Sequence, residues 1–196
     1  MAFAASDGDL SLSEVLELVR LFEAHRPRLL AMLRARIDPA LEGRLGADAI
    51  LQETFLVARR RWAGRPGADE MSPYAWLLWL ARQCLFDAWR RERPGREIPW
   101  PGPSSSWGSL ELLATGTTPS VAARRVEVQA LVRRALEGLE KPADREIIEL
   151  IDFEGLSARE AATILGIAEN AANVRHFRAL KRLRVLIPES LRQEVI

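Results

Sequence analysis

Residues 155–187 read GLSAREAATILGIAENAANVRHFRALKRLRVLI, and this stretch decides the fold. Ser157 stands at a helix start with Glu160 three residues later, the spacing at which a serine hydroxyl and a glutamate carboxylate satisfy each other's free backbone amides in a capping box. Glu160, Ala161, Ala162, Ile164 and Leu165 fill a short helix that Gly166 ends, and Ile167 and Ala168 lead into a longer one reaching about Ile187. Two helices joined by a tight turn containing glycine, with small alanines where they must pack closely, describe a helix-turn-helix. A helical hairpin used only for packing would carry the same pattern, so charge has to discriminate. From Asn170 to Ile187 there is no acidic residue, while Arg175, Arg178, Lys181, Arg182 and Arg184 are all cationic. Spacing of three and four brings Arg175, Arg178 and Arg182 to roughly one side, with Val174, Phe177, Leu180 and Leu183 able to reach the core. Guanidinium groups fork to phosphate oxygens or guanine, and Asn170 and Asn173 are placed for adenine edges or the backbone.

Working back toward the N-terminus, a helix over about Ala143–Phe153 is expected to end at Gly155, and an earlier helical pattern runs from about Val121 to Leu139. Between Pro94 and Pro119 the composition shifts: Pro94, Pro99, Pro101, Pro103 and Pro119 alternate with glycines and serines, which reads as a linker. Trp100, Trp107, Leu110, Leu112 and Leu113 make it unusually apolar for a free tether, and a passive, docked linker and a partner-binding segment are equally compatible with that. Before it lie four expected helices. The first begins near Ser11 or Ser13 and shows Leu12, Val15, Leu16, Val19 and Phe22 on one face; Pro27 is expected in the first turn of a second, with Leu29, Leu30, Leu33 and Ile37 forming its stripe. The third spans about Ala47–Trp62 and stops at Gly64-Arg65-Pro66-Gly67; the fourth runs from Ser72-Pro73 to about Arg93. No segment alternates with period two. The fold class is therefore all-α: two small helical domains, residues 10–97 and 121–190, joined by a Pro/Gly/Ser-rich linker over 98–120, the C-terminal one a helix-turn-helix.

Composition excludes several classes of function. The chain has 196 residues with 28 Lys+Arg against 27 Asp+Glu, a formal net charge of +1, so any nucleic-acid face must come from local charge rather than from the total. Asp144, Glu146, Glu149, Asp152, Glu154 and Glu160 precede the basic helix and cancel it in the sum. The single cysteine, Cys84, has no second thiol for a disulfide or a metal pair; it sits in an apolar helical stretch and reads as a small buried side chain in a reducing, cytoplasmic setting. No signal-like N-terminus and no apolar span of membrane length is present, so membrane insertion is not expected. Without a phosphate-cradling glycine loop, a zinc spacing or a nucleophile elbow, no catalytic residue, metal or cofactor is expected. His25 reads as a surface or interhelical residue and His176 as exposed or close to DNA.

Together, the two halves resemble the extracytoplasmic-function group of bacterial RNA polymerase sigma factors, in the sigma-70 family. Ile50-Leu51-Gln52-Glu53-Thr54-Phe55-Leu56 looks like that family's polymerase-binding helix. The stretch from Ala75-Trp76-Leu77 through Ala81-Arg82-Gln83 to Asp87 and Arg90-Arg91 looks like its helix for melting and recognising the proximal promoter element. The Gly155–Gly166 segment with Arg175, Arg178 and Arg182 resembles its second promoter-binding domain. The resemblance spans about Leu18 to Leu186 and implies core RNA polymerase and promoter DNA as partners, with an anti-sigma factor as a further candidate. It places polymerase contacts at Asp48, Gln52, Glu53 and Phe55, proximal-element contacts at Arg82, Gln83, Asp87, Arg90 and Arg91, and distal-element contacts at Asn173, Arg175, Phe177, Arg178, Lys181 and Arg182.

Trp76, Trp79 and Trp89 lie in the second of these motifs, where stacking on single-stranded bases is one reading and burial in the core the better one. The chain departs from the usual pattern at four places: Ala49 replaces an acidic residue, Gln83 an asparagine, Asn170-Ala171-Ala172 a Gly-Thr-Val and Val174 a serine. Two other functions fit the same elements. One is a helix-turn-helix regulator that binds DNA without docking on polymerase; the other is an adaptor that binds polymerase without initiating.

Overall fold

A computed structural model describes residues 10–37, 44–92 and 131–187, and among these residues every regular element is helical. The chain divides into two compact units, Met1–Ser109 and Leu110–Ile196.

In the first unit, Ser11 caps helix α1 (Leu12–Arg36) through a complete capping box: the Glu14 amide donates to the Ser11 hydroxyl, and the Ser11 amide donates to the Glu14 carboxylate at 2.8 Å. The expected break at Pro27 does not occur. Proline removes one amide donor and crowds the carbonyl four residues earlier, a cost of about 3 kcal/mol in a helix interior. Leu18 and Phe22 are buried on one side of Pro27 and Leu29, Met32 and Leu33 on the other, at about 1.5–3 kcal/mol each, which together exceeds the cost of the proline. The expected apolar face of its first half also differs, for Leu12 (77% exposed), Leu16 and Val19 point outward while Leu18 and Phe22 carry the packing.

Helix α2 (Ala47–Arg60) follows, and Trp62 just beyond its end is buried with its ring centroid 6.0 Å from that of Trp76. Helix α3 (Pro73–Glu92) starts where the sequence says it must: Pro73 occupies the first turn, where its missing amide costs nothing, and the Ala75 amide donates to the Ser72 hydroxyl at 3.3 Å. Tyr74 to Leu78, Leu80, Ala81, Cys84 and Leu85 are all buried, and α1, α2 and α3 pack against one another. Trp76 is core, as the residue type favours, whereas Trp79 and Trp89 are half-buried. His25 is interhelical, its ring centroid 5.3 Å from Tyr74, and burial followed by the nearby Arg28 charge holds its pKa below the usual value.

In the second unit a helical stretch over 131–137, α4, precedes α5 (Pro142–Ile148), which widens into a π-helical turn at Glu149–Phe153. Gly155, at φ +62°, turns the chain into α6 (Ala158–Leu165). Ser157 and Glu160 close the expected capping box, with the Ser157 amide 2.8 Å from the Glu160 carboxylate. At the other end Gly166 adopts φ +66°, and the Ile167 amide donates to the Ala162 carbonyl at 3.0 Å, a helix stop that requires a left-handed residue. Helix α7 (Glu169–Leu186) then packs on α5 and α6. Ala161, Ala162, Ala172 and Ala179 are buried in this unit, small side chains that allow close approach of the helices.

The core face of α7 is therefore Ala172, Ala179, Leu183 and Ile187, and the expected inward positions of Val174 and Phe177 are corrected: both are exposed. A helix that approaches its neighbours through alanines leaves no volume for a phenylalanine on the same side.

Candidate nucleic-acid interface and docking groove

The outward face of α7 is set by its alanine-lined back. Asn170, Asn173, Val174, Phe177, Lys181 and Arg184 recur at spacings of three and four and are all exposed, with Phe177 at 71%; Arg178, also exposed, lies beside them. This is the face a recognition helix offers to a major groove: amides for base edges, apolar groups between them and cations at the margins. Among the described residues no ion pair engages Arg175, Arg178, Lys181 or Arg184.

Two side chains of α7 are tied inward instead. His176 Nε2 lies 2.6 Å from Asp152 on the π-helical turn, and Arg182 Nη1 lies 2.5 Å from Asp144 Oδ2, a carboxylate only 4% exposed near the start of α5. Arg175 is half-buried. Of the six distal-element candidates, the structure thus gathers Asn173, Phe177, Arg178 and Lys181 on the outward face, and sets Arg175 and Arg182 on its flank. Asn170, Val174 and Arg184 belong to that face as well. The sequence already singled out Asn170 as a base-edge candidate and Arg184 as a cation of this helix; Val174 was legible too, had the alanines rather than the larger apolar residues been assigned to the core.

At the end of α3 the five proximal-element candidates separate. Gln83, Asp87, Arg90 and Arg91 are exposed at spacings of three and four, a strip down one side of the last turns. Arg82, unlike the other four, is 5% exposed and lies on the buried side: one residue from Gln83, it points about 100° away around the helix. The Arg91 guanidinium reaches Glu53 of α2 at 3.0 Å, and Arg90 stands 3.8 Å from Asp87.

Between α1 and α2 runs a groove of about 450 Å³ lined by Val19, Phe22, Leu51, Phe55 and Leu56, with Asp48, Gln52, Glu23 and Arg26 also at its walls. Phe22 and Phe55 meet edge to face at 5.1 Å between centroids, which holds the floor. Leu56 is half-exposed at this site, and Leu16 and Val19 extend the apolar surface along α1. Three of the four polymerase-contact candidates, Asp48, Gln52 and Phe55, share this groove; Asp48 also pairs with Arg34 at 3.4 Å. Glu53 does not: it faces a second, more polar hollow of about 300 Å³ toward the end of α3, beside Arg91. The contributions of Val19 and Leu56 were not singled out from sequence, because which apolar side chains stay uncovered depends on how α1 and α2 pack.

Residues 21–94 match the family description Sigma-70 region 2, and residues 129–183 match Sigma-70, region 4. The ECF RNA polymerase sigma factor SigD of Mycobacterium tuberculosis is 31% identical over 180 residues, spanning 89% of this chain and 76% of that protein. The chain belongs to the extracytoplasmic-function group of the sigma-70 family.

Two further relatives of this sigma factor are the ECF sigma factor SigF of Caulobacter vibrioides, 29% identical over 152 residues covering 77% of this chain and 76% of that one, and BldN of Streptomyces coelicolor, 26% identical over 155 residues. The BldN match spans 76% of this chain and 54% of the longer BldN. Among solved structures, the sigma factor RpoE in complex with the anti-sigma factor NepR from Bartonella quintana shares the fold, with a TM-score of 0.51 and 21% identity over 90% of this sigma factor and 97% of that chain. The region 2 match covers α2, α3 and every lining residue of the α1–α2 groove except Val19, and the region 4 match covers α5, α6 and most of α7. No described helix is long and apolar enough to cross a membrane.

Proposed function

We propose that this sigma factor assembles with core RNA polymerase through the groove between α1 and α2 and directs promoter-specific initiation. In this assignment the end of α3 meets the promoter element nearer the start site, and α7 meets the distal one. The protein acts by binding, and core polymerase supplies the chemistry. The observation that carries the reading is the pairing of two unlike surfaces on one chain: an apolar groove with a polar rim in the region 2 unit, and a carboxylate-free outward face of amides, apolar side chains and cations in the region 4 unit. A half-exposed leucine and an edge-to-face aromatic pair suit a protein partner, where a few desolvated apolar side chains dominate affinity. The α7 face suits duplex DNA, where cations position and side-chain tips read bases. Gln83, Asp87, Arg90 and Arg91 are the proximal-element contacts in this reading, and the domain bounds are 10–97 and 121–190 around a linker over 98–120.

The site of action is cytoplasmic, where polymerase and promoter are. By analogy with the complex of RpoE and NepR, an anti-sigma factor is a candidate regulator.

A core-dependent run-off assay tests the reading. Purified protein added to core polymerase is expected to co-migrate with it and to yield a discrete transcript from promoters whose transcription depends on this protein. Promoter binding in the absence of any core association would instead support a regulator that does not dock. Core association without a transcript from any promoter would support a non-initiating adaptor.

A further inference from the structure

Helix α7 carries five cations, and four of them, Arg175, Arg178, Lys181 and Arg184, have no ion pair among the described residues. The fifth is different. Arg182 is 46% exposed and one helical turn beyond Arg178, so its position on the flank would let it reach a phosphate, yet its guanidinium is held 2.5 Å from Asp144. Asp144 belongs to α5, is almost completely buried, and meets no other cation in the described residues.

Taking the proposed DNA-facing role of α7 as its premise, we propose that Asp144 withholds Arg182 from DNA, so that the recognition helix meets the duplex with one cation fewer than its sequence carries. The asymmetry of burial is what makes the pair hold. A phosphate at the DNA surface would attract Arg182 through screened solvent, whereas departure of Arg182 would leave the Asp144 carboxylate uncompensated in the interior, the costlier of the two states. Arg182 is therefore a positioning residue that ties α7 to α5, and Asp144 sets the nonspecific DNA affinity of the domain. Specificity gains from this arrangement: phosphate contacts add affinity equally at every sequence, so removing one lowers the background against which base contacts discriminate.

Salt dependence reads the number of phosphate contacts, with a slope of about −0.9 in log K against log salt for each. The full chain would be titrated by fluorescence anisotropy against a labelled duplex of random sequence between about 50 and 200 mM salt, as wild type, R178Q, R182Q and D144N. R178Q is expected to flatten the slope by about 0.9, and R182Q to leave it unchanged while lowering the melting temperature by leaving the buried Asp144 carboxylate without its partner. D144N is expected to steepen the slope by about 0.9, so that affinity falls roughly 3.5-fold further across that salt range than for wild type. An R182Q slope that flattens as R178Q does, or a folded D144N with the wild-type slope, overturns the inference. Should D144N fail to fold, as circular dichroism would report, R182Q decides alone. If R178Q also leaves the slope unchanged, the DNA-facing role of α7 itself fails and takes the inference with it.

Discussion

Cys84 illustrates how much a single residue type discloses. A lone cysteine in an apolar helical stretch has no partner for covalent chemistry, and the structure buries it on the inner side of α3. Burial pushes its thiol up to about 11, with the Thr54 hydroxyl partly opposing. At pH 8 about one thiol in a thousand would be ionised, and the thiolate is the reactive form. Ellman's reagent should therefore fail to modify the native protein over an hour at pH 8 and react fully once denaturant is added. Prompt modification without denaturant would place Cys84 outside the core. Arg82 shows the opposite limit. Its type and motif both suggested DNA, and only the packing of α3 reveals that it lies on the buried side while Gln83 beside it is exposed. An arginine on a helix with apolar residues nearly all round has no sequence signal for which side it takes, because its long aliphatic stem packs as readily as it solvates.

Among the elements, α6 was readable to the residue. Ser157, Glu160 and Gly166 act through hydrogen bonds and backbone angles that span no more than five residues, so local sequence suffices. Ser157→Ala should cost about 1 kcal/mol by removing the cap. Gly166→Ala should cost about 1–2 kcal/mol through the left-handed backbone alone, since a methyl group there meets no neighbour within 4 Å. The two sites lie about 13.5 Å apart along the helix, so the double variant should lose close to the sum, read as a fall in the urea midpoint with unchanged slope. A double variant no less stable than either single one would show that the ends of α6 are not independent. Helix α1 went the other way. Proline is a strong local signal for a break, but tertiary burial on both sides of Pro27 outweighs it. The outward turn of Phe177 has the same origin, since four buried alanines claim the inner side of the α6–α7 contact.

For the whole molecule, the division into two units predicts that docking and distal-element reading fail separately. Leu56→Asp, at a half-exposed position in the α1–α2 groove, should weaken assembly with core polymerase by about tenfold or more, with little change in melting temperature and no change in duplex binding. Arg178→Ala should leave assembly intact and reduce transcript yield from promoters that depend on the distal element. Core pull-down beside run-off transcription measures both, and a Leu56→Asp protein that assembles normally would remove the groove from the interface. The near-balance of charge, +1 overall, hides this division because the acidic residues ahead of α7 cancel its cations in the sum without covering its outward face.

By itself, the sequence determined the all-helical class, most helix limits and the helix-turn-helix, because caps, glycine stops and helical periodicity act over one or two turns, and its motifs carried the resemblance to the family. Only the tertiary structure decided that α1 runs unbroken through Pro27, that Arg82 is buried, that Glu53 turns away from the docking groove and that Arg182 is held by Asp144. Each of these depends on which side of a helix meets another helix distant in sequence, and the same residues at the same spacing are compatible with either side until that contact exists.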